Sequence, residues 1–370
     1  MCIAIKKTVC LNMIVKDERV VIQRCLASVR RLIDYWVIVD TGSSDGTQAL
    51  IRDFLQGIPG ELHERPWVNF AHNRNEALQL AKDKGDYFLF IDADEQLECV
   101  RTFRWLRLDK DFYVANVDVE GGMRIHRELL VKSSLPWKWE GVLHESIVCP
   151  QAKNYEILQG VVNLARQDGH RSHDPKKFLK DAEVLEKAWR EDPQNSRTLF
   201  YLAFSYDVAG EYALALPHYQ KRALIRDSEE IVFYSLYRIA WLQEQLKMKA
   251  DLVIESYCTA YLARPSRAEP LACLANFYVK HNNPLMAYLV SKFALTIPMP
   301  NDTVLLDVPI YSYRLLEQAA DCSYLLGRWD ETKKIIAQLF KKKDLPKEER
   351  EKVERLLRQI ETFKPPRSFP

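Results

Sequence analysis

The sequence predicts an α/β domain followed by an all-α domain. Three observations predict it. Apolar runs of strand length alternate with segments of helical spacing from Thr8 to about residue 165. Strand signals stop near Asp174-Pro175, and helical patterns take over. In the first part, the apolar run Tyr87 to Ile91 ends directly in Asp92-Ala93-Asp94-Glu95.

The elements follow in order. Thr8 to Val15 is apolar enough for a strand buried on both faces, and the residues before it read as part of the same core strand. Glu18 to Leu32 has helical spacing. Tyr35 to Val39 is a second strand, closed by Thr41-Gly42-Ser43-Ser44-Asp45-Gly46-Thr47. Thr47 to Leu55 reads as helix, Glu61 to Arg65 as a short strand, and Phe70 to Lys84 as helix stopped at Gly85. Tyr87 to Ile91 is the next strand. This alternation implies a mostly parallel sheet covered by helices. Phe112 to Glu120 and Arg124 to Lys132 then read as antiparallel strands around Gly121-Gly122, and Tyr155 to Ala165 as one more strand.

From Lys176 onward helical stretches are broken at Pro193, Gly210, Asp227, Pro265, Pro284, Pro298 and Gly327. Leu199, Leu202, Ala203, Tyr206, Gly210, Tyr212, Ala215 and Tyr219 resemble a tetratricopeptide repeat. Ala203, Ala240 and Ala275 recur near its ~34-residue period. Small residues at Ala203 and Ala215, and again at Ala275 and Ala287, would let paired helices approach closely. The expected division is therefore 1–173 for the α/β domain and 174–370 for the helical-repeat domain.

Composition excludes several classes. The chain has 370 residues and a formal net charge of +2, so nothing electrostatic argues for nucleic acid or an anionic membrane. No stretch approaches the ~20 apolar residues of a membrane span. The eight cysteines include no CxxC pair and sit mostly in apolar runs, as reduced, buried thiols do. With no signal peptide evident, a cytoplasmic location is expected. The mixed-charge tail from Lys341 to Arg358 suits a solvated helix.

The chemistry centres on Asp92 and Asp94. Carboxylates at the end of a parallel strand face the crevice where ligands of such sheets bind. Two hard oxygen ligands there suit Mg2+ or Mn2+, which in turn holds a diphosphate. At the other strand end, Asp40 can accept hydrogen bonds from a nucleotide base or ribose, while Asp45 and Thr47 can cap the following helix. Trp137, Trp139, Glu140, His144 and Glu145 form a third group, with flat apolar faces beside carboxylates, as sugar or peptide acceptor sites use.

The strand LNMIVKDE, the turn VDTGSSDGT, the helix HNRNEAL and the strand end IDADE occur in this order. Together they resemble the family 2 glycosyltransferases, which have the Rossmann-like GT-A fold. More narrowly, the chain resembles the bacterial branch with a tetratricopeptide-like C-terminal region, to which some peptide S-glycosyltransferases are similar. The resemblance implies an inverting, divalent-metal-dependent hexosyltransferase. Its donor would be a nucleoside diphosphate sugar, with UDP-glucose or UDP-N-acetylglucosamine as defaults. Asp17, Glu18 and Asp40 would line the nucleotide pocket. Thr41 stands where many members carry an acidic residue that contacts uracil. Arg74 would pair with the diphosphate, and Asn75 would orient the metal loop. Asp92 would contact the sugar nucleotide and, with Asp94, the metal. His170, or alternatively His173, would complete that site. Glu145 would be the general base, with Glu140 as runner-up and His144 orienting acceptor or diphosphate. The helical domain would bind a polypeptide or glycan acceptor, or form a homodimer.

Two other readings are open at this stage. The repeats alone could function, as an interaction scaffold behind a degenerate α/β domain; against this, each expected catalytic position holds a competent residue. A nucleotidyltransferase would carry a glycine-rich loop after the first strand, where this chain has Asn12-Met13-Ile14-Val15-Lys16-Asp17-Glu18-Arg19.

Overall fold

A computed structural model describes residues 6–101, 103–105, 108–343 and 345–362. Residues 1–5, which the sequence joins to the first strand, lie outside the described residues. The chain forms two compact units, 1–211 and 212–370.

The first unit is built on β1 (Val9–Val15), α1 (Ile22–Val29), β2 (Tyr35–Asp40), α2 (Thr47–Phe54), β3 (Gly60–Glu64), α3 (Phe70–Leu80) and β4 (Tyr87–Phe90). Each of these strands pairs in parallel, β2 with β1 and β3, and β1 with β4. β1, β2 and β4 are buried on both faces because helices cover both, which is why they read as largely apolar runs. Leu11, Met13 and Ile38 pack against α1 on one face, and Cys10, Val37 and Phe88 against α3 on the other.

Beyond β4 the sheet continues through β5 (Glu95–Cys99), β6 (Phe112–Val119), β7 (Met123–Lys132) and β10 (Tyr155–Ala165), and the full path is β3-β2-β1-β4-β7-β6-β10-β5. The pairing there is mixed: β4 with β7, β7 with β6 and β10 with β5 are antiparallel, while β6 and β10 run parallel. The hairpin between β6 and β7 turns at Gly121 and Gly122, both in the left-handed region at φ +91° and +92°. The sheet is thus mixed: its β3-β2-β1-β4 part is parallel, as the alternation implies, and β7 and β6 form the expected antiparallel hairpin. β8 (Lys138–Glu140) and β9 (Ser146–Val148) form a separate small hairpin.

After a 3-10 turn at His170–His173 come α4 (Lys177–Glu191) and α5 (Ser196–Val208). They pack on each other, and Ala182, Leu185 and Leu202 close over Leu143. The change from strand to helix therefore falls where the composition changes, near residue 174. The compact unit, however, extends through this first helical pair to residue 211.

The second unit contains α6 (Tyr212–Ala223), α7 (Glu229–Gln245), α8 (Ala250–Ala263), α9 (Glu269–Lys280), α10 (Pro284–Ala294), α11 (Leu315–Leu325), α12 (Trp329–Phe340) and α13 (Lys347–Thr362). Each packs against the next in sequence, with a π-helical turn at Ile310–Arg314 leading into α11. Ala215, Ala240, Ala275 and Ala287 are fully buried, as close helix approach requires. Pro284 starts α10 instead of merely breaking a helix, since a proline at the first helical position loses no hydrogen bond. Among the described residues no helix is long and apolar enough to cross a membrane.

Candidate active site

The site is assembled at the carboxyl ends of β1, β2 and β4. After β1 the chain turns left-handed at Asp17 (φ +54°), and this loop locks onto the one after β2. Asp17 Oδ1 accepts from Ser44 N at 2.7 Å, while Asp17 N donates to Ser43 Oγ at 2.8 Å. Thr47 Oγ1 accepts from Glu18 N at 2.9 Å and donates to Asp45 Oδ1 at 2.6 Å. Much of the polar turn thus holds two loops together. Asp40 is fully buried; its Oδ1 accepts from Gly42 N and Ser43 N at 2.9 and 2.8 Å. Its Oδ2 is buried with no partner among the described residues. Thr41 is also buried and hydrogen-bonds back to Val15 O.

Asp92 and Asp94 lie in the turn between β4 and β5, both half-buried, with Ala93 and Glu95 buried between and after them. The alternation expected of a strand end survives in this turn. Their surroundings differ. Asp92 Oδ1 accepts from Arg74 Nη2 at 2.5 Å, and Oδ2 from Arg127 Nη1 at 3.3 Å. Burial alone would raise its pKa, but the two arginines outweigh it and hold the carboxyl at about 2. Arg127, on β7, also pairs with Glu95, which further accepts from Asn163 Nδ2 at 2.8 Å and Asp92 N at 3.0 Å. Because both Asp92 oxygens already face guanidinium groups, this residue fits diphosphate positioning through Arg74 better than direct metal ligation.

Among the described residues no arginine pairs with the Asp94 carboxylate, and Lys177 acts on it only through its charge. Burial and the Asp92 charge raise the Asp94 pKa. Glu18 faces the same space, and burial, with Asp94 as the strongest of its acidic neighbours, pushes its pKa up to about 7 despite a hydrogen bond from His170 N. Gly169 closes the space: a Cβ there would lie 3.1 Å from both Asp94 Oδ2 and Glu18 Oε1. Two desolvated carboxylates around a glycine cradle supply hard oxygen donors of the kind a divalent cation takes. Among the described residues, no three His, Cys, Asp or Glu side chains gather closely enough to hold a metal by themselves. The His170 and His173 side chains are exposed on the 3-10 turn beside this cradle.

Glu145 is brought to the same centre, its Oε1 accepting from Arg74 Nε at 2.5 Å, with its side chain 10% exposed. Arg74 thus bridges Asp92 and Glu145, and its guanidinium stacks 4.8 Å over the Trp139 ring. Its own burial is outweighed by the two carboxylates, which raise its pKa.

Three expected residues lie elsewhere or act differently. Glu140 is exposed and pairs with Lys138 at 3.2 Å, away from Arg74, because it ends β8 on the solvent side. Asn75 spends both ends of its amide on the Trp139 backbone, at 2.9 Å each, so it positions β8 and not the metal loop. His144 stacks face to face on Tyr201 at 4.1 Å, and burial, with the charges of Arg171, Arg197 and Lys177, drives its pKa down to about 3. The ring thus packs on Tyr201, and its Nε2 is buried with no partner among the described residues.

Sequence reasoning missed Arg127 and Lys177. Lys177 opens α4; its pKa is lowered by burial and by Arg171, with Asp94 and Asp181 opposing. Arg24 was missed too. It donates to both Asp168 oxygens and to Asp94 O, tying α1 to the DAD turn.

Residues 10–129 match the family model described as Glycosyl transferase family 2. Over this segment the chain is similar to that family. Two relatives each match about a quarter of the chain. The lipopolysaccharide core biosynthesis glycosyltransferase LpsC of Rhizobium meliloti is 34% identical over 91 residues, 24% of this chain and 31% of that protein. A TPR repeat-containing protein of Synechococcus elongatus is 40% identical over 90 residues, 24% of this chain and 21% of that protein. The chain therefore spans less than a third of the length of either relative. Among solved structures, a tetratricopeptide repeat protein from Parabacteroides merdae is similar at TM-score 0.38 and 19% identity, covering 50% of this chain and 67% of that one. MamA is similar at TM-score 0.37 and 17% identity, covering 48% and 92%.

Proposed function

We propose that this protein is an inverting glycosyltransferase that moves a hexosyl group from a nucleoside diphosphate donor, a UDP-sugar by preference, to an acceptor nucleophile. The observation that carries this reading is the Asp92–Arg74–Glu145 bridge, with both contacts at 2.5 Å. One buried guanidinium joins the donor-side aspartate to the acceptor-side glutamate.

The roles follow from charge. Arg74 presents its planar fork to the departing diphosphate. As diphosphate oxygens draw on Arg74, Glu145 is released from its ion pair, and its carboxylate takes the acceptor proton. Inversion follows from this single displacement. Asp94 and Glu18, with His170 on the adjoining turn, would hold Mn2+ or Mg2+, which would supply further positive charge to the leaving group. Lys177 faces this side from α4 and adds to the same field. Asp40 and Asp17 sit beneath the nucleoside end. The polypeptide or glycan acceptor, the cytoplasmic setting and a homodimer through the helical unit belong to the same reading.

The test separates Glu145 from Glu140. Glu145→Gln in the full chain binds nucleoside diphosphate as the unmodified chain does but loses transfer, while Glu140→Gln keeps both. Retained transfer in Glu145→Gln would remove Glu145 as the base.

A further inference from the structure

Glu145 ends the five-residue link between β8 and β9, and this link has an unusual backbone. Gly141 is left-handed at φ +106°, and a Cβ there would lie 3.4 Å from both Leu143 O and Glu145 Cα. His144 is left-handed as well, at φ +51°, a conformation that non-glycine residues adopt at a cost and keep when their surroundings hold them.

The surroundings come from α5. Asn195 caps that helix by accepting from Thr198 N at 2.9 Å, which fixes where its first turn begins. Arg197 and Tyr201 then fall one turn apart on one face. Arg197 donates to His144 O from Nε at 3.2 Å and from Nη2 at 2.9 Å. The same guanidinium lies 5.0 Å over the Tyr201 ring, and the Tyr201 ring stacks on His144 at 4.1 Å with only 7° between planes. Leu202 from the same helix closes with Ala182 and Leu185 over Leu143. Every residue just before Glu145 is thus held by the first helical pair, while Glu145 itself is held by Arg74.

We infer that Arg197 and Tyr201 are positioning residues for Glu145, making the first helical pair a working part of the transfer site. The inference rests on the glycosyltransferase reading above for its functional consequence. It separates α4 and α5 from the rest of the helices: they set the geometry of the proposed base. A carboxylate displaced by about 1 Å from its acceptor loses on the order of ten- to a hundredfold in turnover without losing donor affinity.

The experiment compares full-length Arg197→Met, Tyr201→Leu and Tyr201→Phe, with the exposed Arg190→Met on α4 as control. Amide hydrogen exchange over residues 142–146 reads the clamp whether or not the chain turns over. It speeds up in Arg197→Met and Tyr201→Leu and is unchanged in Tyr201→Phe, which keeps the ring. Turnover of the sugar nucleotide falls about ten- to a hundredfold in the first two variants, with KM for the donor unchanged, and is kept in Tyr201→Phe. Unchanged exchange in both Arg197→Met and Tyr201→Leu overturns the inference, as does faster exchange with unaltered turnover. Should the unmodified chain neither hydrolyse nor transfer any sugar nucleotide, the glycosyltransferase reading fails and takes the catalytic role of the clamp with it, whereas the exchange result still decides the clamp itself.

Discussion

Each unit contains a buried ion network, and the two are built differently. In the helical unit, Arg267 is 1% exposed and spends its guanidinium on Glu269, Asp302, Val304 O and Leu305 O. Glu269 also accepts from Tyr311 Oη at 2.7 Å, and Arg264 grips both Asp302 oxygens at 2.6 and 2.7 Å. Burial works against the Asp302 charge, yet Arg264 and Arg267 outweigh it and lower its pKa. That network is closed. In the α/β unit, Arg74 and Arg127 pair with Asp92 and Glu95, although burial still raises the Glu95 pKa, whereas among the described residues Asp94 and Glu18 have raised pKa values with no ion-paired cation and Asp40 Oδ2 has no partner. A closed network has nothing left to offer a ligand, and its role is to hold the fold. An open one persists when a bound cation or polar ligand supplies what the protein omits.

The comparison can be broken in four places. Arg267→Met leaves Glu269 and Asp302 buried without their shared cation and should lower unfolding stability by about 3–5 kcal/mol. Nucleoside diphosphate binding by the folded variant should be unaffected. A denaturation curve showing a loss under about 1 kcal/mol would mean the network is not a structural clamp. Arg74→Met should cost about 3 kcal/mol, since Asp92 keeps Arg127 but Glu145 loses its cation. Unlike Arg267→Met, it should abolish donor binding, and calorimetry showing full affinity would contradict the role given to Arg74.

Gly169→Ala is subtler. Its Cβ would crowd Asp94 Oδ2 and Glu18 Oε1 at 3.1 Å, so cation-dependent nucleotide affinity should fall about tenfold, roughly 1.4 kcal/mol, with little change in stability. Equal affinity with and without the methyl group would show that the cradle holds no cation. The smallest effect belongs to Glu331, which accepts from Lys292 and Arg328, and whose pKa the Lys292 bond, against burial, helps lower to about 2. Its folded pKa lies below its unfolded one. The stabilisation is therefore present above about pH 4.5 and fades as pH falls toward 2. Glu331→Gln should cost at most about 1 kcal/mol at neutral pH, and the gap should close in acid. A gap that persists at pH 2 would assign the loss to packing instead.

The sequence revealed what lies close along the chain. β1, β2 and β4 announced themselves as apolar runs, and the Gly121-Gly122 hairpin by its glycines. β5 did not, because Glu95–Cys99 is short, follows the acidic turn without a break and pairs only with β10. The mixed pairing beyond β4 has the same origin, since strand order there is settled by pairings between distant segments. Asp92, Asp94 and Arg74 were legible as motif residues. Arg127 was not: in Arg124, His126, Arg127 and Glu128 it is one of several polar residues on β7, and only pairing of β7 beside β4 selects it. The neutral packing role of His144 was equally hidden, because it depends on Tyr201, which lies on a different element. The Asn75 amide was misassigned for the same reason, as its partner is the backbone of β8.

The open network is proposed to hold a nucleotide together with a cation. Calorimetric titration of the full chain with a panel of nucleoside diphosphates, with and without Mn2+, measures this directly. The account predicts Mn2+-dependent binding of one of them, UDP by preference, lost in Asp94→Ala. Absence of binding by every nucleotide, or binding indifferent to Mn2+ and to Asp94, would contradict it.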